Sequence, residues 1–266
     1  MAIVLKKGSA VEGMRVAGKV AASILAGLGK CVLPGVTTRE IDRIARELIA
    51  KNGAKSAFLG YRGFPGNVCI SVNNEVIHGI GSTRVLQMGD LVKLDVGVSK
   101  DGWIGDTAAT FACGMVSIVS RNLMLATEAA LSEGVRNAVA GGRIGDISEA
   151  VESEVIRHGF SVVRDFVGHG VGRSLHEDPQ VPNYGKKGSG PKLKENMVIA
   201  IEPMINVGTK DVIYDADGWT VRTKDGKYSA HYEHTVCIKR GKADVLSSFE
   251  SIVAAEIANT HLFSGY

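Results

Sequence analysis

The sequence has little of what would mark a secreted, fibrous or membrane-spanning chain. Its four cysteines, Cys31, Cys69, Cys113 and Cys237, are far apart and form neither a CxxC pair nor a Cys/His ligand spacing. That argues against a disulfide scaffold or a thiolate zinc site and points to a reduced, cytoplasmic setting. Charge of one sign is also scarce: 31 Lys and Arg stand against 28 Asp and Glu, a net +3, with no long basic run. No strong field for nucleic acid or a membrane surface follows, so DNA and membrane partners are not expected. Long apolar runs are missing too. The stretch from Met197 to Ile205 is interrupted by Glu202, and Lys6-Lys7 is not followed by an apolar h-region. Neither a membrane span nor a signal peptide is expected. With only 6 Pro but 33 Gly, 45% hydrophobic and 22% charged residues in 266, the composition is that of a soluble globular protein. Peptide or small-molecule chemistry is the class these absences leave.

Helical spacing of Val11, Met14, Ala17, Ala21, Ile24, Leu25 and Leu28, stopped by Pro34-Gly35, predicts a first amphipathic helix. Thr37 with Glu40 has the form of a capping box and opens a second, with Ile41, Ile44, Ala45, Leu48 and Ile49 on one face up to Gly53. Strand-like segments follow at Val68 to Val72, Leu91 to Val98 and Ile104 to Phe111. The order then repeats: a helix from Leu123 to Ala138, another through Ile147, Ala150, Val151 and Val155, then the apolar run to Ile205. An offset of 106 places Ile41, Ile44, Ala45 and Ile49 on Ile147, Ala150, Val151 and Val155. An offset of 107 places Leu91, Val92, Leu94 and Asp95 on Val198, Ile199, Ile201 and Glu202. Val76 to Gly81 also looks like Val167 to Gly172, each half offering one His in an HGxG turn. The expected architecture is α+β, a single domain over 1–266 with related halves at about 10–115 and 120–246 and a shared central site. The glycine- and lysine-rich stretch 184–194 reads as a surface loop, and Ile252, Val253, Ile257 and Leu262 carry a mild helical period.

Four carboxylates interrupt apolar strand patterns: Asp95 and Asp106 on either side of the turn signal Ser99 to Gly102, Glu202 before Pro203, and Glu233 in the last strand. A turn centred on Lys100-Asp101 puts Asp95 directly opposite Asp106, and one centred on Asp101-Gly102 makes them diagonal neighbours. Either way, ionised acids in an apolar site need compensating positive charge, and the neighbouring runs lack enough Lys or Arg. With His169 from the glycine-rich turn, the set of two Asp, two Glu and one His suits Mn, Fe, Co or Zn. Two such ions about 3.5–4 Å apart would neutralise it.

These motifs together resemble those of type I methionine aminopeptidases, which share the pita-bread fold with proline-specific aminopeptidases and creatinase. The resemblance covers about residues 5 to 246, through Gly-Tyr-Arg-Gly-Phe-Pro at 60–65, Cys-Ile-Ser-Val-Asn at 69–73, His-Gly at 78–79, Leu-Asp-Val-Gly at 94–97, Gly-Asp-Thr at 105–107, Gly-His-Gly-Val-Gly at 168–172, Leu-His-Glu-Asp-Pro at 175–179, Ile-Glu-Pro-Met at 201–204 and Glu-His-Thr at 233–235. It implies a central antiparallel sheet backed by helices in two pseudo-symmetric halves. It also implies two divalent ions on Asp95, Asp106, His169, Glu202 and Glu233, which activate water to release the N-terminal methionine of nascent polypeptides. Glu202 matches the family's proton shuttle, and His78 and His176 match the two non-ligand histidines that contact the peptide and the oxyanion. Tyr61, Phe64, Cys69 and Trp219 match the side-chain pocket. Phe58, Phe64 and Leu175 stand where some members have Cys, Tyr and Phe, which leaves the pocket rim open to a different shape. Transient ribosome contact and a monomeric state are family-level expectations. An Xaa-Pro aminopeptidase of the same fold and a non-catalytic ribosome- or RNA-binding paralogue are the alternatives.

Overall fold

The computed structural model describes residues 3–249. The apolar spacing from Ile252 to Leu262 lies outside the described residues. Helix α1 (Ser9–Gly29) and helix α2 (Thr38–Lys51) match their apolar periods. The Thr37 hydroxyl accepts the Glu40 N–H at 3.2 Å, one of the orphan donors of the first turn of α2. Strands β1 (Lys55–Ser56), β2 (Cys69–Val72) and β3 (Glu75–Ile77) precede a long hairpin of β4 (Leu91–Lys100) and β5 (Trp103–Ala112). Helix α3 spans Ile118–Asn137 and α4 spans Ile144–Arg157. The apolar period of α3 begins only at Leu123 because Ile118 and Val119, 79% and 53% exposed, face outward. Its true start is marked by Ser117, whose hydroxyl accepts the Ser120 N–H at 3.0 Å.

The second half adds β6 (Ser161–Val162), β7 (Gly168–Gly170), β8 (Glu177–Val181), β9 (Val198–Ile201), β10 (Met204–Asn206), β11 (Val212–Tyr214), β12 (Val221–Thr223), β13 (Ser229–His231), β14 (Glu233–Cys237) and β15 (Asp244–Val245). The main sheet runs β1-β4-β5-β14-β9-β7-β8, with β2 also on β4 and β15 on β14. Its pairings are antiparallel. About the β5–β14 seam the order is mirrored: β2-β4-β5 on one side, β7-β9-β14 on the other. Two small sheets, β13-β10-β6 and β11-β12-β3, complete the fold.

Two readings are corrected here. The HGxG likeness does not mark equivalent positions: Val92 pairs with Val72, whereas its offset partner Ile199 pairs with Gly170. His169 therefore lies on a strand, while His78 follows β3 in a loop. The apolar run 197–205 is two strands, not one, because Pro203 has no N–H for a ladder. Tyr232 breaks the last strand opposite it, so Glu202 and Glu233 both sit where the main sheet hands over to a small one.

The hairpin closes on Asp101 (φ 51°) and Gly102 (φ 76°), a left-handed pair suited to a two-residue turn. Asp95 pairs with Ala108 and Asp106 with Gly97, the diagonal arrangement of the two that the turn signal allowed. Helix α1 lies very close to β5: a Cβ on Gly105 would be 2.2 Å from the Ala17 carbonyl oxygen. That contact fixes the strand beside Asp106. The core between helices and sheet is formed by Ile24, Leu25 and Leu28 of α1, Ile41 and Ala45 of α2, Leu91 and Leu94 of β4 and Ile147 and Val151 of α4.

Candidate metal centre

One row across four strands sets out the site. Cys69 pairs with Asp95, Asp95 with Ala108, and Ala108 with Glu233. Directly opposed residues share a face, and so do residues two apart on one strand. Asp95, Asp106 and Glu233 therefore rise from the same face around Ala108. Ala108 has no bulk to fill the space between them, and no motif in the sequence singled it out. Ile201 pairs with His234, so Glu202, one step past the ladder, comes alongside Glu233.

His169 closes the group from β7. Its Nε2 is 3.4 Å from Glu202 Oε1 and 3.9 Å from Asp106 Oδ2, while Nδ1 meets the Gly170 carbonyl oxygen at 2.9 Å. The potential ligand atoms of Asp106, His169 and Glu233 all lie within 4.8 Å of one another. Asp106 and Glu233 are 3% and 2% exposed. Asp95 Oδ1, Asp106 Oδ1 and Glu233 Oε1 are buried without any hydrogen-bond partner among the described residues. Three orphaned carboxylate oxygens at one place are the mark of missing positive charge.

The titration behaviour follows from that crowding. Burial pushes the Asp106 carboxyl up to about 7. Burial and then neighbouring carboxylates push Glu202 and Glu233 well above the usual range, and burial with Asp106 does the same to Asp95, where the Cys69 thiol bond works the other way. Burial lowers His169 to about 3, with His176 adding to it, so the imidazole is neutral and free to ligate. Oxygen and imidazole donors without thiolate, buried and uncompensated, fit divalent first-row cations.

The remaining candidates gather beside the acids. His176 Nδ1 is 2.8 Å from the Tyr61 hydroxyl, and its ring centroid is 4.3 Å from that of His169. His78 is held in the left-handed region (φ 58°), a costly backbone for a non-glycine residue, with its ring edge-on to Phe166 and Trp219 at 5.6 and 6.3 Å. Burial, then His176, lowers its imidazole to about 4. Trp219 packs edge-on to Phe64 at 5.2 Å, and Phe64 edge-on to Phe58 at 6.5 Å. Phe58, Phe64, Cys69 and Leu175 are buried in one apolar cluster with Tyr61 and Trp219 against it. The structure thus brings all the sequence-derived site residues into one neighbourhood.

Sequence reasoning missed His231. It is 1% exposed, neither ring nitrogen has a hydrogen-bond partner among the described residues, and Nε2 lies 3.9 Å from Glu202 Oε2. Its signal was present, a His inside a buried strand pattern two residues before Glu233, but only the tertiary approach of β13 to Glu202 gives it meaning.

Comparisons with known proteins give the family and the fold. The model of metallopeptidase family M24 matches residues 12–240. A methionine aminopeptidase of Clostridium perfringens is 49% identical over 245 residues, covering 92% of this chain and 98% of that protein. The solved methionine aminopeptidase of Rickettsia prowazekii superimposes with a TM-score of 0.91 at 39% identity, over 93% of this chain and 100% of that one. A prolidase from Pyrococcus furiosus shares the fold at a TM-score of 0.75 and 24% identity, and the match covers 66% of its length.

Proposed function

This chain belongs to metallopeptidase family M24, and from that premise we propose that it is a methionine aminopeptidase, a hydrolase that removes the N-terminal methionine of peptides. The observation that carries the reading is the buried group of orphaned carboxylate oxygens around His169. Asp95, Asp106, His169, Glu202 and Glu233 would hold two divalent ions, of Co, Mn, Fe or Zn. Bound there, such cations would supply Lewis acidity, acidifying water and polarising the first peptide carbonyl.

The chain's own groups do the rest. Glu202, which would be ionised beside the cations and is made more basic than an ordinary carboxylate by burial, takes a proton from the attacking water and returns it to the leaving amine. Partial desolvation, then Arg62, lowers the His176 imidazole and so favours its neutral form. With the Tyr61 hydroxyl donating to Nδ1, Nε2–H is left to donate to the developing oxyanion. His78, rigidly seated against Phe166 and Trp219, orients the scissile nitrogen or the residue beyond it. The wall of Tyr61, Phe64, Cys69 and Trp219 suits an unbranched thioether, through apolar and sulfur–aromatic contact.

No helix among the described residues is long and apolar enough to cross a membrane. The substrates are N-terminal Met peptides of nascent proteins, met in the cytoplasm by a monomer with transient ribosome contact. The test is methionine release from Met-Ala-Ser after chelation and re-addition of Mn²⁺, Co²⁺, Fe²⁺ or Zn²⁺, with Ala-Pro-Ala alongside. Metal-restored release of methionine alone is expected. Cleavage before proline instead would transfer the chain to the proline-specific branch, and no cleavage with any metal would leave a binding role.

A further inference from the structure

An ion pair between buried Lys6 and part-buried Glu177 joins the first residues described to the loop that carries His176. Lys6 is 4% exposed. Its backbone N–H donates to the Asn196 carbonyl at 2.8 Å, and its Nζ donates to the Val4 carbonyl at 3.2 Å and to Glu177 Oε2 at 2.5 Å. The other oxygen of Glu177, Oε1, accepts the backbone N–H groups of Arg173 at 3.1 Å and Ser174 at 3.4 Å. One carboxylate, directly after His176, therefore closes the turn 172–177 from inside, and Lys6 compensates its charge. The packing leaves no slack: a Cβ on Gly172 would stand 2.3 Å from Glu177 Oε1 and 2.7 Å from Lys6 Cε. The far side of the loop is tied to the β4–β5 hairpin, where Gly172 O accepts the Ile104 N–H at 2.9 Å and the Arg173 guanidinium lies 4.1 Å over the Trp103 ring.

Burying a lysine against a part-buried glutamate for stability alone is a poor exchange, since apolar residues of like volume commonly serve as well. What the pair provides is geometry. We propose that Lys6 and Glu177 are positioning residues for His176, holding the loop so that its imidazole meets the oxyanion formed on the peptide carbonyl. This rests on the role given to His176 above. The N-terminal segment is thereby part of the catalytic apparatus without touching the substrate.

The test compares Lys6→Met, Glu177→Gln, the double variant and Lys6→Arg with wild type on Met-Ala-Ser, in the metal-loaded enzyme. Each single loss should lower kcat about 10- to 100-fold with KM within about threefold, the range expected when an oxyanion donor is loosened. The double variant should be no worse than either single one, because both remove the same interaction. Lys6→Arg should recover most of the rate. Affinity for the tetrahedral α-aminophosphonate analogue of methionine should fall in step with kcat/KM, while affinity for methionine itself stays unchanged. A kcat unchanged in Lys6→Met and Glu177→Gln overturns the proposal. So does a loss that disappears when rates are expressed per active site, since that is a loss of folded protein. Absence of methionine release by the wild type overturns the function itself, a separate outcome.

Discussion

Stripped of divalent cations, the protein should lose stability relative to its cation-loaded form as pH rises from 6.5 to 8.5. A carboxyl whose pKa is raised by folding binds more protons folded than unfolded. Its stabilising contribution is present at low pH and is lost as pH climbs through the folded value, about 7 for Asp106, with the other three acids also raised well above the ordinary carboxylate range. Each proton held by the folded cluster but not by the unfolded chain gives a slope of about 1.4 kcal/mol per pH unit. Across this window Asp106 alone accounts for roughly 1 kcal/mol, and each carboxyl that stays protonated throughout adds about 3 kcal/mol. In the loaded form the ligands are already ionised, so the slope vanishes and the gap between the two forms widens. The buried histidines do not interfere. His78, His169, His231 and His234 are lowered to about 4, 3, 3 and 4, so in the fold they are neutral throughout the window with or without cations, and what they add as the unfolded imidazoles deprotonate cancels in the difference. Below 6.5 they act oppositely, losing stability as pH falls. Lys93, lowered to about 7 by burial, gains stability with rising pH, but does so in both forms and cancels in the difference. Urea unfolding of chelated and Mn²⁺-saturated protein at pH 6.5, 7.5 and 8.5 measures the gap. A gap constant to within about 0.5 kcal/mol would refute the argument, since the acids would then be ionised in the bare fold and compensated by something other than a cation.

Glu202→Gln should lower kcat by about 10²- to 10⁴-fold, the range for a removed general acid–base, with the melting temperature of the chelated protein held because a neutral amide replaces a carboxyl that burial keeps protonated; near-normal turnover would remove Glu202 from the proton path. Gly97→Ala puts a Cβ 2.3 Å from Cε1 of the Phe58 ring, so the ring must leave its seat over β4. The cost should be about 1–3 kcal/mol by thermal melting, and Phe58→Leu in that background should recover part of it. Thr37→Ala should cost about 1 kcal/mol through the lost cap on α2, measurable by urea unfolding. Trp219→Ala should raise KM for Met-Ala-Ser several-fold with a smaller change in kcat, because the ring walls the pocket and takes no part in proton transfer; an unchanged KM would place the methionine side chain elsewhere.

Much of the site was legible because burial and charge conflict visibly in the sequence. Asp95, Asp106, Glu202 and Glu233 each break an apolar strand pattern, and an acid there demands a partner wherever the strand lies. Helices α1, α2 and α4 were legible for the same local reason, since their apolar periods and the Thr37 cap need no long-range information. The start of α3 was not, because Ile118 and Val119 are exposed apolar residues that mimic no period.

What the sequence alone determined is the set of residues that needed a common solution: four acids and a histidine in a glycine-rich turn, to which the family resemblance added His78 and His176. What only the tertiary structure decided is the row Cys69–Asp95–Ala108–Glu233, the turn register that makes Asp95 and Asp106 diagonal, the break at Pro203 that frees Glu202, and the arrival of His231 and Lys6 from distant segments. The physical reason is one of range. Desolvation penalties and helical periods are properties of a residue and its near neighbours, whereas strand register and the meeting of the chain's start with the His176 loop depend on how the two halves close on each other.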